Sequence, residues 1–237
     1  MNNYVSYQLQ DFIPFSADVY FRLLERINET WWPLHLLGLA LGATALVLAL
    51  KKRDRLVWLL IAPVWAFVAV VFFMQYYAQL NWAGHYVGYA FLAQAILLLW
   101  LALAGFSRSK VSAVNTSAVA NSRPAAVAIG LGIALTGLLA LPLMATLSGA
   151  GWWQAQVFGI HADPTAISTL GLALMLLRGW RLWLVACIPM LWLLLSGLTL
   201  WVLQATEAWL LFAVLAAALV GIAVLCRYPE KKSLKIC

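Results

Sequence analysis

The sequence predicts an all-α protein, a polytopic transmembrane helix bundle of about seven spans with its N-terminus outside and its C-terminus in the cytoplasm. Three observations predict it. Of the 237 residues, 65% are hydrophobic and only 10% are charged, a balance that suits lipid as the solvent better than water. The charges are gathered into short blocks separated by apolar runs, each close to the roughly 20 residues that cross the hydrocarbon layer. Seven crossings also place thirteen of the 15 Lys and Arg residues on one side, leaving only Arg22 and Arg26 on the other, the bias that orients inner-membrane proteins.

The first 31 residues form an outer N-terminal segment. They lack a basic start followed by an apolar stretch and a small-residue cleavage site, so the first span is expected to direct insertion itself. Within them, Ser16 is placed to cap a helix after Pro14, with Asp18 near its positive end. Val19, Leu23, Leu24 and Ile27 share one face, and Asp18, Arg22, Glu25, Arg26 and Glu29 another, which predicts an amphipathic helix on the outer interface. Asn28-Glu29-Thr30 also matches a glycosylation sequon.

The bundle occupies 32–226, with spans at 32–50, 56–78, 83–106, 125–147, 164–177, 182–203 and 208–226. Inner loops follow the first, third and fifth, and a basic cytoplasmic tail covers 227–237. The inner loop Ser107 to Ser122 is rich in Ser, Ala and Asn and reads as a tether. Pro63, Pro142 and Pro189 fall inside spans and should kink them.

Two stretches echo one another. Arg55-Leu56 through Pro63 and Arg181-Leu182 through Pro189 have the same Arg-to-Pro spacing, and Leu37-Gly38-Leu39-Ala40-Leu41 precedes the first as Leu170-Gly171-Leu172-Ala173-Leu174 precedes the second. Spans one and two thus resemble spans five and six in the same orientation, a pattern that suggests a 3+1+3 internal duplication. Spans three and seven do not match.

The functional signals collect at the outer face. Asn81, Trp82 and His85 lie at the turn into span three, and Gln94 near that span's middle, where a carboxamide must bond across helices or face a cavity. Trp152 and Trp153 belong to an outer loop without Lys or Arg. That loop leads through Asp163, a candidate helix cap, and Pro164 into a span too short to cross untilted. Short, Gly- or Pro-interrupted spans point to transporter sites. These seven residues are the candidate solute contacts, with Trp152 and Trp153 as an outer gate. Interhelical bonding for Gln94 and an ordinary aromatic belt for the tryptophans stay open beside that reading.

Several classes are excluded. Lys and Arg sit at the ends of apolar runs and not in a basic stripe interleaved with aromatics, so no nucleic acid is expected. No carboxylate lies in the middle of a span, against a buried proton relay, and no Lys in span seven offers a Schiff base. Cys187, Cys226 and Cys237 have no ligand spacing, and His35, His85 and His161 have no local one, so neither a metal site nor a cofactor is expected.

Pro14-Phe15-Ser16 through Asn28 to Trp32-Pro33, then Asn81, Ala83, Phe91 and Gln94, then Phe158-Gly159, Asp163-Pro164-Thr165 and Thr169-Leu170-Gly171 together resemble a bacterial integral-membrane family without assigned function, often labelled a major-facilitator-type permease. The resemblance covers most of the chain in the family's order and implies a multi-pass inner-membrane location and, by its label, transport. The functional expectation is therefore a small permease-like protein with an outward-opening pocket for a neutral or weakly polar solute. Two alternatives stand beside it: a membrane enzyme for a lipophilic substrate, using Asp163, Glu207 and a histidine, and an accessory or scaffold subunit. The expected partners are membrane lipid, a small-molecule solute, and a second copy or a membrane complex.

Overall fold

The computed structural model describes residues 13–104, 117–147 and 151–226, and the described residues contain helices and no strand. The core of the inner-loop tether and the basic tail lie outside them.

Helix α1, Ala17–Trp31, starts at Ser16, whose hydroxyl accepts a long hydrogen bond from Val19 N at 3.5 Å, with Asp18 in the first turn. Its apolar face is amphipathic as expected, but Tyr20, Leu23, Leu24, Ile27 and Asn28 are buried against the protein, whereas Val19 is exposed. The helix clasps one end of the bundle with most of the face that the sequence assigns to the interface. A bend of 91° separates it from α2, Leu34–Leu50.

Helix α3, Asp54–Leu80, contains Pro63 and widens to π-helical turns over Ala69–Tyr77. Next comes α4, Gly84–Leu103. Helix α5 runs through Ser117–Leu135, a π segment at Thr136–Ala140, and Leu141–Leu147. Its wide turn sits directly before Pro142, whose ring would otherwise press on the carbonyl four residues back. The start at Ser117 makes the last part of the predicted tether helical.

A short 3-10 turn, Trp152–Gln154, leads to α6, Ala162–Leu176, then α7, Trp180–Val202, and α8, Glu207–Cys226. Five helices are long and apolar enough to cross a membrane: α3, α4, Pro124–Leu147 of α5, α7 and α8. The count is six if the bent pair α1 and α2 is taken as one span, and α6 is shorter but apolar.

Helix α6 is the axis of the molecule. Every residue from Ala162 to Leu174 is buried, with α2, α3, α5, α7 and α8 packed around it. Its approach to α5 is close enough that a side chain on Gly171 would strike Gly130 O and Ala134 N, and one on Gly137 would strike Ser168 and the Pro164 carbonyl. Small residues at such contacts are what helices in lipid use to pack backbone against backbone. On the other flank, aromatic rings tie α3, α4 and α7 together: Trp65 to Phe91 at 4.4 Å, Phe73 to Phe91 at 4.5 Å and Phe73 to Trp192 at 4.8 Å between centroids.

Candidate functional site

The N-terminal end of α6 gathers several of the buried polar groups among the described residues. His161 precedes the helix in extended conformation, with φ −108° and ψ 153°, so it and not Asp163 occupies the capping position, and its side chain makes no cap bond. Asp163 lies in the first turn, where the positive helix end favours its charge, and its carboxylate is turned toward α7. There Trp192 Nε1 donates to Oδ1 at 2.7 Å and Ser196 Oγ donates to Oδ2 at 2.9 Å. Trp192 and Ser196 are one turn apart and share a face, and buried Gln156 lies near the same carboxylate.

The segment before α6 is held by a ladder of hydroxyls. Gly159, at φ +85°, lets the chain reverse without a side chain, and its N–H donates to Thr165 Oγ1 at 3.0 Å. Thr165 donates to the His161 carbonyl at 2.7 Å, and Thr169 to the Thr165 carbonyl at 2.8 Å. Trp65 Nε1 on α3 donates to Thr169 Oγ1 at 2.8 Å. The segment 155–161 is buried throughout, so its backbone groups need these partners.

Asn28 fastens α1 to this segment. Its Nδ2 donates to Trp153 O at 2.7 Å and Ala155 O at 2.9 Å, and its Oδ1 meets His35 Nε2 at 2.6 Å. Gln154 Nε2 donates to Glu25 Oε1 at 2.6 Å beside it. A residue this deeply bonded is closed to glycosylation, which settles the sequon.

Of the seven candidate contacts, the structure buries two. Asp163 is held as described. Gln94 donates from Nε2 to the Val185 carbonyl on α7 at 3.0 Å, and its buried Oε1 has no hydrogen-bond partner. Between these two stand Phe91 and Trp192, with ring centroids 5.8 Å apart. The others stand at the rim. Asn81 Oδ1 accepts from Ala83 N at 2.9 Å and caps its own turn. Trp82 is 76% exposed and packs on Tyr86, and His85 is exposed. Trp152 and Trp153 are both about half exposed, and Trp153 meets Trp32 at 6.4 Å. The geometry therefore buries Asp163 and Gln94 at different depths, since their partners Trp192 and Val185 lie two turns, roughly 10 Å, apart on α7, and it leaves Asn81, Trp82, His85, Trp152 and Trp153 at the rim.

Sequence reasoning found no local ligand spacing around His35 and His161 and did not see that Asn28 bonds His35 or that Trp192 and Ser196 bond Asp163. The Trp192/Ser196 spacing and the short Asn28-to-His35 separation across a Pro were the available signals. Neither distinguishes a bonded polar pair from a pair that faces different neighbours.

Both buried histidines keep one open nitrogen: Nδ1 of His35 and Nε2 of His161 have no hydrogen-bond partner among the described residues. Burial, with the nearby His35 second, pushes His161 down to about 3, so its ring is neutral at ordinary pH. Among the described residues no three His, Cys, Asp or Glu side chains stand together to hold a metal ion.

The profile of a family of unknown function, DUF6064, matches residues 17–235. The chain belongs to that family. Its description carries no activity and no major-facilitator relationship, so the permease label in the sequence resemblance has no support from it. No curated protein and no solved structure matches the chain.

Proposed function

We propose that the chain is a multi-pass inner-membrane protein that crosses seven times, from an outer N-terminus to a cytoplasmic C-terminus, and is a small permease-like protein for a neutral or weakly polar solute. The crossings are α2 to α8, with α6 a short span whose 15 residues cover about 22 Å and begin beneath the outer surface. The distribution of Lys and Arg supports the orientation. Reporter fusions at 51–53 should read cytoplasmic and at 151–154 external; the reverse at either position removes this arrangement.

One observation carries the transport reading. Among the described residues, the most enclosed helix of an apolar bundle also buries the most polar side chains, Asp163, Thr165, Ser168 and Thr169. Polar groups at such depth are expensive unless they bond to one another or line a path. The unpaired Oε1 of Gln94 offers a solute an acceptor about two turns along α7 from Asp163, and the exposed ring of Trp82 and the rings of Trp152 and Trp153 flank the approach from outside.

Proteoliposomes examined by stopped-flow light scattering with a panel of polyols, amides and sugars should pass at least one solute faster than empty vesicles. Gln94→Leu should slow that solute. No acceleration across the panel favours the competing reading, an accessory subunit whose polar groups only pack. The bond from Gln94 Nε2 to the Val185 carbonyl supports that alternative. The enzyme reading is the weakest, since both oxygens of Asp163 already accept from α7.

A further inference from the structure

The two open imidazole nitrogens belong to rings whose tautomers can be worked out from their other bonds. His161 Nδ1 accepts from the Val157 N–H at 3.1 Å. That nitrogen therefore carries a lone pair, and in the neutral ring the proton sits on Nε2. Asn28 presents Nδ2 to two carbonyls, which fixes Oδ1 toward His35. Since Oδ1 only accepts, His35 Nε2 is the protonated nitrogen and its Nδ1 carries the lone pair. The open atoms are thus one donor and one acceptor.

The elements bring these rings to one place. Gly38, one turn beyond His35 on α2, lies so close to Phe158 that a side chain there would strike the Phe158 carbonyl. His161 follows three residues later, and its N–H donates at 3.0 Å to the same Val157 whose N–H it accepts. Asn28 ties His35 to Ala155 from the other end of the segment. His35 is 3% exposed and His161 is fully buried, so bulk water does not complete either ring. A buried donor or acceptor left without a partner is destabilising, which gives a shared ligand a reason to bind.

We infer that His35 and His161 hold one neutral hydroxyl group between them, from water or from a small alcohol, accepting at its oxygen from His161 Nε2–H and donating to His35 Nδ1. Water needs two or more polar partners to reside in an interior, and an O–H group is the smallest group that both accepts and donates. A metal ion does not fit this pair. It would need a lone pair on His161 Nε2, and moving that proton to Nδ1 would set two N–H groups, those of the ring and of Val157, against each other. The site adjoins Asp163 in the chain but uses neither its carboxylate nor Gln94, so it stands or falls independently of solute transport.

The chain has three histidines, and exposed His85 serves as the internal reference. Nitrogen-15 histidine NMR on the full chain in lipid nanodiscs should show His35 and His161 both neutral with the proton on Nε2. His161 Nε2–H should give a through-space contact to an exchangeable hydroxyl proton. If that proton disappears in deuterated water and has no carbon-bound neighbours, the ligand is water; correlations to C–H protons identify an alcohol. His35→Gln, whose carboxamide oxygen can accept, should retain the contact, and His35→Leu should lose it. The inference is overturned by an Nδ1–H tautomer at His161, by the absence of any hydroxyl contact in the wild-type protein, or by zinc binding at micromolar concentration that His35→Leu abolishes.

Discussion

Helices α2 and α6 carry the same five residues, Leu-Gly-Leu-Ala-Leu, and use them differently. In α6, Leu170, Leu172 and Leu174 are each at most 2% exposed. In α2, Leu37 is 56% exposed and its neighbour Leu36 59%. Only the glycine plays the same part in both. Gly171 lies against the backbone of α5 and Gly38 against the carbonyl of Phe158, each at a spot where a side chain would collide with main chain. In lipid, a leucine gains little by leaving hydrocarbon for protein, so its placement follows the packing of its neighbours. A glycine at a backbone contact is fixed by space and cannot be exchanged.

The largest effect should come from those glycines. Gly171→Ala places a methyl group on Gly130 O and Ala134 N, which are backbone atoms that cannot swing away. A loss of about 3 kcal/mol is expected, read as a lowered unfolding midpoint in detergent, with Gly38→Ala behaving in the same direction. An unchanged midpoint for Gly171→Ala would mean that α5 and α6 do not touch there.

Next in size is Asp163. Replacing it by Ala leaves the Trp192 indole N–H and the Ser196 hydroxyl buried without their acceptor, a loss of about 1–3 kcal/mol for the pair given the modest strength of hydrogen bonds in membrane proteins. Asp163→Asn keeps an acceptor for one of them and should fall between wild type and Ala. Tryptophan fluorescence would follow the same order if Trp192 is released. Equal stability of all three proteins would show that the α6 to α7 contact does not depend on this carboxylate.

A smaller, local effect is expected at Asn28. Asn28→Asp keeps the acceptor for His35 but cannot donate to Trp153 O and Ala155 O. The outer clasp of α1 should loosen while the bundle stays folded. Hydrogen exchange should then rise in α1 and at 153–157 by roughly tenfold, about 1.4 kcal/mol of local opening, with α3 and α7 unaffected. Protection unchanged in α1 would assign its docking to Tyr20, Leu24 and Ile27 alone.

The sequence made the helices legible because apolar runs of spanning length are read from composition alone. It also singled out Asp163 and Gln94, since a carboxylate beside Pro164 and a carboxamide deep in a leucine-rich run have few ways to be satisfied. How they are satisfied was not legible. Asp163 meets Trp192 and Ser196, and Asn28 meets Ala155, through contacts set by how helices rotate about their own axes, and a helix that is apolar all round carries no stripe to fix that rotation. The same gap explains why Trp82 and His85 were grouped with Gln94: all three sit within a few turns of one helix, yet Gln94 faces Val185 and Trp82 faces outward. Leu23, Leu24 and Ile27 of the buried face of α1 were legible, Val19 was misplaced, and the partner was not legible, because periodicity gives the stripe and not the surface it covers.

The smallest predicted effect is the sharpest test of the comparison between α2 and α6. Leu37→Ala and Leu170→Ala remove the same atoms from the same local sequence, Leu-Gly-Leu-Ala-Leu. At Leu170, which is fully enclosed, the change leaves a cavity among fixed neighbours and should lower stability by about 2 kcal/mol, the low end for such changes because lipid is itself apolar. At Leu37, which is more than half exposed, acyl chains or detergent fill the space, and helix propensity changes little between Leu and Ala. The midpoint should therefore move by less than about 0.5 kcal/mol. Measured in the same detergent, a ratio near unity between the two losses would contradict the assignment of α6 as the enclosed axis. If Leu37→Ala proved as damaging as Leu170→Ala, the exposed side of α2 would be a protein interface, and the packing-partner reading of the whole chain would gain at the expense of the permease reading.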